Sequence, residues 1–328
     1  MRIIVLDGHT LAPGDITWEP VAALGDLEVF PRTSPDEIIE RAQGAQVLLT
    51  NKTRLTAATL SQLPDLQFIG VLATGYDVVD VTAAAQLGIP VCNVPGYGTN
   101  AVAQHVFALI LELCRRTTLH DARVRQGAWS SNPDWCFWET TQVELTGKTM
   151  GIVGFGNIGQ RVGTLANAFG MQVLAAARSS RVQPQYAPFA HADVDTLFAQ
   201  ADVISLHCPL TDATRGLVSR ERLASMKPGA IIINTARGPL LDEQAVADAL
   251  HRGHLGGLGA DVVSVEPITP DNPLLGAPRC IITPHMAWST LTARQALMDQ
   301  TARNIQAFQR GLPCNVVNAP VATRPAAA

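Results

Sequence analysis

Between Met150 and Ala177 the chain reads MGIVGFGNIGQRVGTLANAFGMQVLAAA, and this stretch constrains the fold more than any other. A short apolar run, Met150 to Val153, has the length of a buried strand. Gly154, Gly156 and Gly159 follow in G-x-G-x-x-G spacing, then helix-compatible sequence to Phe169 and a second apolar run from Met171 to Ala177. A glycine pattern alone is weak, but one that leaves a strand and opens a helix predicts a dinucleotide site. Gly154 permits the tight turn, Gly156 lets backbone approach a pyrophosphate, and Gly159 lets helix and strand pack closely. Free N–H groups and the positive end of the helix dipole then face the phosphates. Gly154, Phe155, Gly156, Asn157, Ile158 and Gly159 are therefore the expected cofactor loop.

The end of the second strand speaks to cofactor choice. NAD-binding units place Asp or Glu about twenty residues on, as a ribose acceptor. Here Ala177 stands there, followed by Arg178, Ser179, Ser180 and Arg181. A carboxylate would repel a 2′-phosphate, whereas arginines and hydroxyls bind one through charge-assisted hydrogen bonds. Each is worth roughly 1.5–3 kcal/mol, so one or two change preference by roughly tenfold to a thousandfold. The competing reading is a solvated loop. The expectation is NADP(H) over NAD(H), with Arg178, Ser179 and Arg181 as contacts.

A chain of 328 residues, 47% apolar and 16% charged, is long enough for two folded domains. A net charge of −4 without a Lys/Arg block gives no reason to expect nucleic acid. Six cysteines lack C-x-x-C or metal-ligand spacing and read as reduced thiols; no metal is expected. The N-terminus carries charge too early for a secretory signal. The most apolar helix candidate, residues 101–114, contains Gln104, His105 and Glu112 and is too short to span a bilayer. A soluble cytoplasmic protein without membrane partners is expected.

Strands are predicted at residues 2–6, 47–50, 68–72 and 89–92, with helices at 36–43, 56–63 and 80–87 between them. Alternation of this kind implies a parallel sheet covered on both faces. Its ligands sit beyond the carboxyl ends of strands, where the loops Asn51-Lys52-Thr53 and Ala73-Thr74-Gly75-Tyr76-Asp77 fall. A proline/glycine break at residues 93–98 precedes a long helix predicted from Thr99 to about Leu119. Trp129, Trp135, Phe137 and Trp138 then form an aromatic patch with polar flanks, read either as packing within the subunit or, preferably, as an interface anchor. Beyond the glycine loop, strands are predicted at 202–206, 230–234, 258–262 and 280–283, and helices at 194–199, 220–226, 242–252 and 290–309. The tail from Pro320 to Ala328 is expected to fray.

Three residues sit where neighbouring strands should end: Arg237 after IIINTA, Glu266 after GADVVSV and His285 after CIITP. Arg237 suits a substrate carboxylate, which a guanidinium grips with two parallel bonds. His285 suits proton exchange with a carbonyl or hydroxyl oxygen while hydride moves at nicotinamide. Glu266 suits the other imidazole nitrogen and favours the charged ring. Singly, each residue is more often structural, and the argument lies in the set. Of the remaining histidines only His207, after a strand of the same domain, is expected to line the site.

Together GIVGFGNIG, NTARGPLLDE, GLGADVVSVEP, ITPHMAW and the crossing segment NVPGYGTNAVAQ resemble the D-isomer-specific 2-hydroxyacid dehydrogenase family, in order and over most of the chain. The resemblance implies an α/β fold of two doubly wound parallel-sheet domains. A Rossmann domain, residues 99–288, is inserted in a flavodoxin-like substrate domain, residues 1–98 plus 289–328, with the active site in the cleft between them. It carries over Arg237, Glu266 and His285 as the catalytic set. Thr99, the glycine loop, Asn234, Thr235, Ala236 and Asp261 carry over as cofactor contacts, and the backbone of Ala73, Thr74 and Gly75 as a carboxylate site, with Lys52 a further candidate. A homodimer built on the long helix and the loop after it is also implied, which favours the interface reading of the tryptophans. Two departures stand out. Gln104 replaces a frequent Glu, and Ala177-Arg178 replaces the Asp of NAD-dependent relatives.

ATGYDVVD, NPDWCFWE and PHMAW are most similar to the glycerate dehydrogenase and hydroxypyruvate reductase branch, implying reduction of hydroxypyruvate or glyoxylate. Formate dehydrogenases of the fold pair Gln with His, whereas Glu266 is present here. Other 2-hydroxyacid, phosphoglycerate and phosphite dehydrogenases share the residue types, although the regulatory domain of longer phosphoglycerate enzymes is not expected here. A dinucleotide-sensing corepressor is the alternative from another class.

Overall fold

Two separate parallel sheets organise the computed structural model, which describes residues 1–177 and 182–318. One unit takes Met1–Gly98 with the described residues from Ser289 onward; the other is Thr99–Trp288. Arg178, Ser179 and Arg181, and the tail from Pro320, lie outside the described residues.

The first unit contains β1 (Arg2–Val5), β2 (Asp26–Val29), β3 (Val47–Thr50), β4 (Phe68–Val71) and β5 (Val91–Cys92), in the order β2-β1-β3-β4-β5. All pairs are parallel, and the order is the flavodoxin-like one. β3 (VLLT) and β4 (FIGV) are buried at every position because helices cover both faces. Helices begin where polar side chains cap them: Thr56 Oγ1 accepts from Thr59 N at 3.2 Å and Asp80 Oδ1 from Ala83 N at 2.9 Å. The helix Leu291–Gln309 belongs to this unit, with Leu297, Met298 and Ile305 fully buried and Phe308 against Phe68. Strand β2 has no sequence forecast. It is an edge strand reading DLEV, half-buried on alternate residues, with no apolar run to reveal it.

The second unit contains β6 (Thr149–Val153), β7 (Gln172–Ala176), β8 (Phe189–His191), β9 (Val203–Leu206), β10 (Ala230–Asn234), β11 (Leu255–Ala260) and β12 (Cys280–Ile282). Their order, β12-β11-β10-β9-β6-β7-β8, is that of a doubly wound dinucleotide-binding domain. Val106, Ile110, Ile152, Val162 and Ile233 form the core under the helices Thr99–Arg115 and Asn157–Ala168. Leu197, Phe198, Leu223, Val246 and Leu258 form a second core under Val194–Gln200, Arg220–Ser225 and Glu243–His251.

Two expectations need correction. The long helix does not continue to Leu119: it ends at Arg115, Arg116 turns left-handed at φ 50°, and a second helix runs Thr117–Arg125. Glu112 stabilises the break by accepting from Thr117 Oγ1 at 2.6 Å and Thr118 N at 3.3 Å. Strand β11 starts at Leu255 and ends at Ala260, shifted from the predicted 258–262. Its sequence LGGLGA resembles a turn, yet a Cβ on Gly257 would lie 2.8 Å from Leu113 and one on Gly259 2.9 Å from Leu109. Those glycines admit the long helix against the sheet. Trp129, Trp135 and Trp138 are 52%, 90% and 67% exposed, and Trp129 Nε1 donates to the Trp135 carbonyl at 2.9 Å. Among the described residues no helix is long and apolar enough to cross a membrane.

Candidate active site

Register aligns five strand ends of the second unit. Val153 pairs Leu206, Leu206 pairs Asn234, Asn234 pairs Ala260, and Ala260 pairs Ile282. The residues just beyond that row are the glycine loop, His207, Arg237, Asp261 with Glu266, and His285. Three of these segments follow the adjacent strands β10, β11 and β12, so the guanidinium, carboxylate and imidazole leave one edge of the sheet together.

The carboxylate and imidazole meet directly. His285 Nδ1 lies 2.6 Å from Glu266 Oε2, while Glu266 Oε1 accepts from Val263 N at 3.2 Å. A carboxylate on Nδ1 fixes the orientation of the ring. His285 holds a left-handed backbone at φ 54°, a strain of about 1–3 kcal/mol that surrounding contacts must offset. Trp288 Nε1 donates to the His285 carbonyl at 3.0 Å. Asp261, 1% exposed, accepts from Met286 N at 2.9 Å and Ala287 N at 2.8 Å. Expected as a cofactor contact, its carboxylate is engaged by the backbone beside His285.

Arg237 caps the 3₁₀ turn Gly238–Leu240. The fully buried Asn234 shapes this turn, donating through Nδ2 to the Arg237 carbonyl at 2.8 Å and accepting from Ala236 N at 3.1 Å. Gly238 presses on the segment that leads to Glu266: a Cβ there would lie 1.9 Å from the Val263 carbonyl carbon. The turn bearing Arg237 and the loop bearing Glu266 are thus in backbone contact.

The glycine loop has the shape a dinucleotide requires. Gly154 adopts φ 94°, and a Cβ on it would strike the backbone of His207 and Cys208 at 2.6 Å. A Cβ on Gly159 would lie 2.2 Å from the Gly154 carbonyl oxygen. Around Gly156, by contrast, a Cβ would meet nothing within 4 Å. Gly156 is also the N-cap of the Asn157–Ala168 helix, so no side chain caps its first turn, and Gly156 and Asn157 are exposed. The hydroxyl of Thr235 is buried without a hydrogen-bond partner among the described residues, as a group awaiting a ligand would be. These features fit a nicotinamide dinucleotide. His207 shares a hydrogen bond of 2.8 Å with Ser205 Oγ. It is half-buried by exposed area, yet protein atoms crowd the ring, and desolvation pushes it down to about 3, so it stays neutral. Thr99 opens the long helix.

In the first unit the candidate substrate loops follow β3 and β4. Asp7, buried two residues past β1, accepts from the backbone N–H groups of Asn51, Lys52 and Thr53 at 2.7, 2.6 and 2.8 Å. The Ala73 carbonyl accepts from Val94 N at 3.0 Å, and the Thr74 carbonyl from Asn93 Nδ2 at 2.7 Å. Lys52 and Thr74 are exposed. No motif marks Asp7, although an acid just past the first predicted strand is a signal that could have found it. His105 is a second omission: expected to lack a site setting, it lies 2.9 Å from Thr283 Oγ1 and 3.6 Å from Asp261 Oδ1.

The model of the D-isomer specific 2-hydroxyacid dehydrogenase NAD-binding domain matches residues 107–287. A hydroxypyruvate reductase of Blautia hydrogenotrophica is 48% identical over 97% of this chain and 100% of its own. A glycerate dehydrogenase of Methylorubrum extorquens is 44% identical over 97% and 99%. Among solved structures, an NADPH-dependent glyoxylate/hydroxypyruvate reductase of Sinorhizobium meliloti, in complex with NADP and malonate, superposes with a TM-score of 0.81 at 26% identity, covering 99% of each chain.

Proposed function

The chain belongs to the D-isomer-specific 2-hydroxyacid dehydrogenase family, and from that premise we propose how its residues divide the reduction of a small 2-keto acid. The substrates are hydroxypyruvate and glyoxylate, reduced to D-glycerate and glycolate, in keeping with relatives named hydroxypyruvate reductase, glycerate dehydrogenase and glyoxylate reductase. A nicotinamide dinucleotide, when bound, supplies the hydride. Gly154–Gly159, Thr235 and the N-terminus of the Asn157–Ala168 helix hold it, with Thr99, Ala236, His207 and Asp261 as further contacts.

The hydrogen bond between Glu266 and His285 carries this reading. His285 donates its Nε2 proton to the carbonyl oxygen as that oxygen gains charge, and recovers it from the hydroxyl in the reverse direction. Glu266 keeps Nδ1 engaged and so orients the ring toward the carbonyl oxygen. Arg237 holds the substrate carboxylate, whose charge is present throughout, so its contribution is to binding. Lys52 and the backbone of Ala73–Gly75 are proposed as additional substrate contacts. Replacing Arg237 by Ala should therefore raise the keto-acid KM by roughly ten- to a hundredfold, with a smaller effect on kcat. An unchanged KM in steady-state assays would assign the carboxylate elsewhere, with Lys52 the next residue to replace.

Preference for NADP(H) is part of the proposal, supported by Ala177 and the charge of residues 178–181. So is a homodimer in which the exposed Trp129, Trp135 and Trp138 meet the partner, and a cytoplasmic setting without nucleic-acid or membrane partners. A panel of 2-keto acids assayed with NADPH and NADH tests substrate and cofactor together. The expected result is highest kcat/KM with hydroxypyruvate or glyoxylate and NADPH. A clear NADH preference would overturn the cofactor reading, and inactivity on both acids the substrate reading.

A further inference from the structure

We infer that His105, Thr283 and Asp261 form a positioning relay that fixes the backbone on which His285 rides. The inference rests on His285 being the proton donor and adds residues whose contribution is placement. Asp261 Oδ1 accepts from Thr283 Oγ1 at 2.6 Å and Met286 N at 2.9 Å, and its Oδ2 accepts from Ala287 N at 2.8 Å. One buried carboxylate thereby gathers donors from both sides of His285 in sequence. The His285 N–H turns inward as well, to the Asp261 carbonyl at 2.8 Å and the Thr283 carbonyl at 2.9 Å. A non-glycine residue at φ 54° persists only when its neighbours over-determine it, and these contacts do so.

Proton accounting brings in the histidine. Thr283 has a single hydroxyl proton, and the carboxylate, able only to accept, takes it. His105 Nε2, 2.9 Å from the same hydroxyl oxygen, must therefore donate, which assigns the Nε2–H tautomer. His105 rides on the Thr99–Arg115 helix, 178 residues from Thr283 in sequence, and closes the chain helix, hydroxyl, carboxylate, catalytic loop. Asp261, held at 1% exposure with three donors on its side chain, is placed to orient.

Replacing Thr283 by Val keeps the shape and removes the hydroxyl. Since small misplacement of a reacting group costs up to about a hundredfold, kcat for hydroxypyruvate reduction should fall by roughly tenfold or more. The keto-acid KM and the NADPH affinity, read by nucleotide fluorescence, should stay unchanged, and Thr283→Ser should restore kcat. His105→Ala should lower kcat in the same way, with Gln, which keeps an N–H donor, recovering part of it. Wild-type kcat in both Thr283→Val and His105→Ala would overturn the relay, as would losses expressed only in cofactor affinity. Should Thr283→Val not fold, the His105 pair decides by the same criteria. His285→Gln serves as reference: if it too retains full activity, the proton-donor assignment has failed, whereas an inactive His285→Gln beside active relay variants sinks the relay alone.

Discussion

Replacing His285 by Gln is expected to lower the rate of hydroxypyruvate reduction by roughly a hundredfold to ten-thousandfold, the span that a positioned general acid contributes. That range corresponds to about 3–5 kcal/mol of barrier. Gln preserves a polar side chain of similar reach and can still hydrogen-bond Glu266, so the loop need not collapse. What it lacks is a proton to give at the pH of the assay. Hydride addition then leaves charge on the oxygen with only water or a static amide to meet it. The glycine loop and Thr235 are untouched, so NADPH affinity should survive, and the loss should fall on kcat. Steady-state kinetics combined with a nucleotide-binding titration separate these quantities. Turnover at the wild-type rate would remove His285 from the proton-transfer step, and a parallel loss of NADPH binding would turn its role into a structural one.

How much of this was legible beforehand depended on whether a residue's task is local. The strands Val47–Thr50 and Ala230–Asn234 are legible to the residue because a strand buried on both faces is nearly all apolar. The glycine loop is readable because Gly154 is demanded by its own turn and Gly159 by a near neighbour, while Gly156 leaves the helix N-terminus open. Strands β2 and β8 sit at sheet edges and carry no such run. Strand β11 misled because its glycines answer to Leu109 and Leu113 on a helix far earlier in the chain. The pairing of Glu266 with His285 is legible from strand ends, since adjacent parallel strands deliver their following residues to one edge. The support beneath it is not. Asp7 orders a loop more than forty positions later, and Thr283 meets a histidine on the long helix, pairings that no local period encodes.

The cofactor loop yields the sharpest contrast. Gly156→Ala and Gly159→Ala add the same methyl group three residues apart and should fail in different ways. Gly156 has φ −79° and ψ −162°, extended backbone that alanine adopts freely, and its Cβ would meet no protein atom within 4 Å. The variant should fold with an unchanged melting temperature. Its methyl nevertheless enters the open space at the helix N-terminus, where a pyrophosphate must approach the backbone N–H groups. Losing one or two such charge-assisted bonds should weaken NADPH binding by roughly tenfold to a thousandfold. Gly159 is inside the helix, where a Cβ would lie 2.2 Å from the Gly154 carbonyl oxygen, a rigid backbone atom. Helix and turn must part, which costs about 1–3 kcal/mol of overpacking or more and misaligns the loop. Gly159→Ala should therefore lose both thermal stability and NADPH affinity. Thermal unfolding and fluorescence titration on the two variants decide the matter. If Gly156→Ala bound NADPH as tightly as the parent, the open space at that helix end would not be where the phosphates lie, and the dinucleotide reading of this loop would fall.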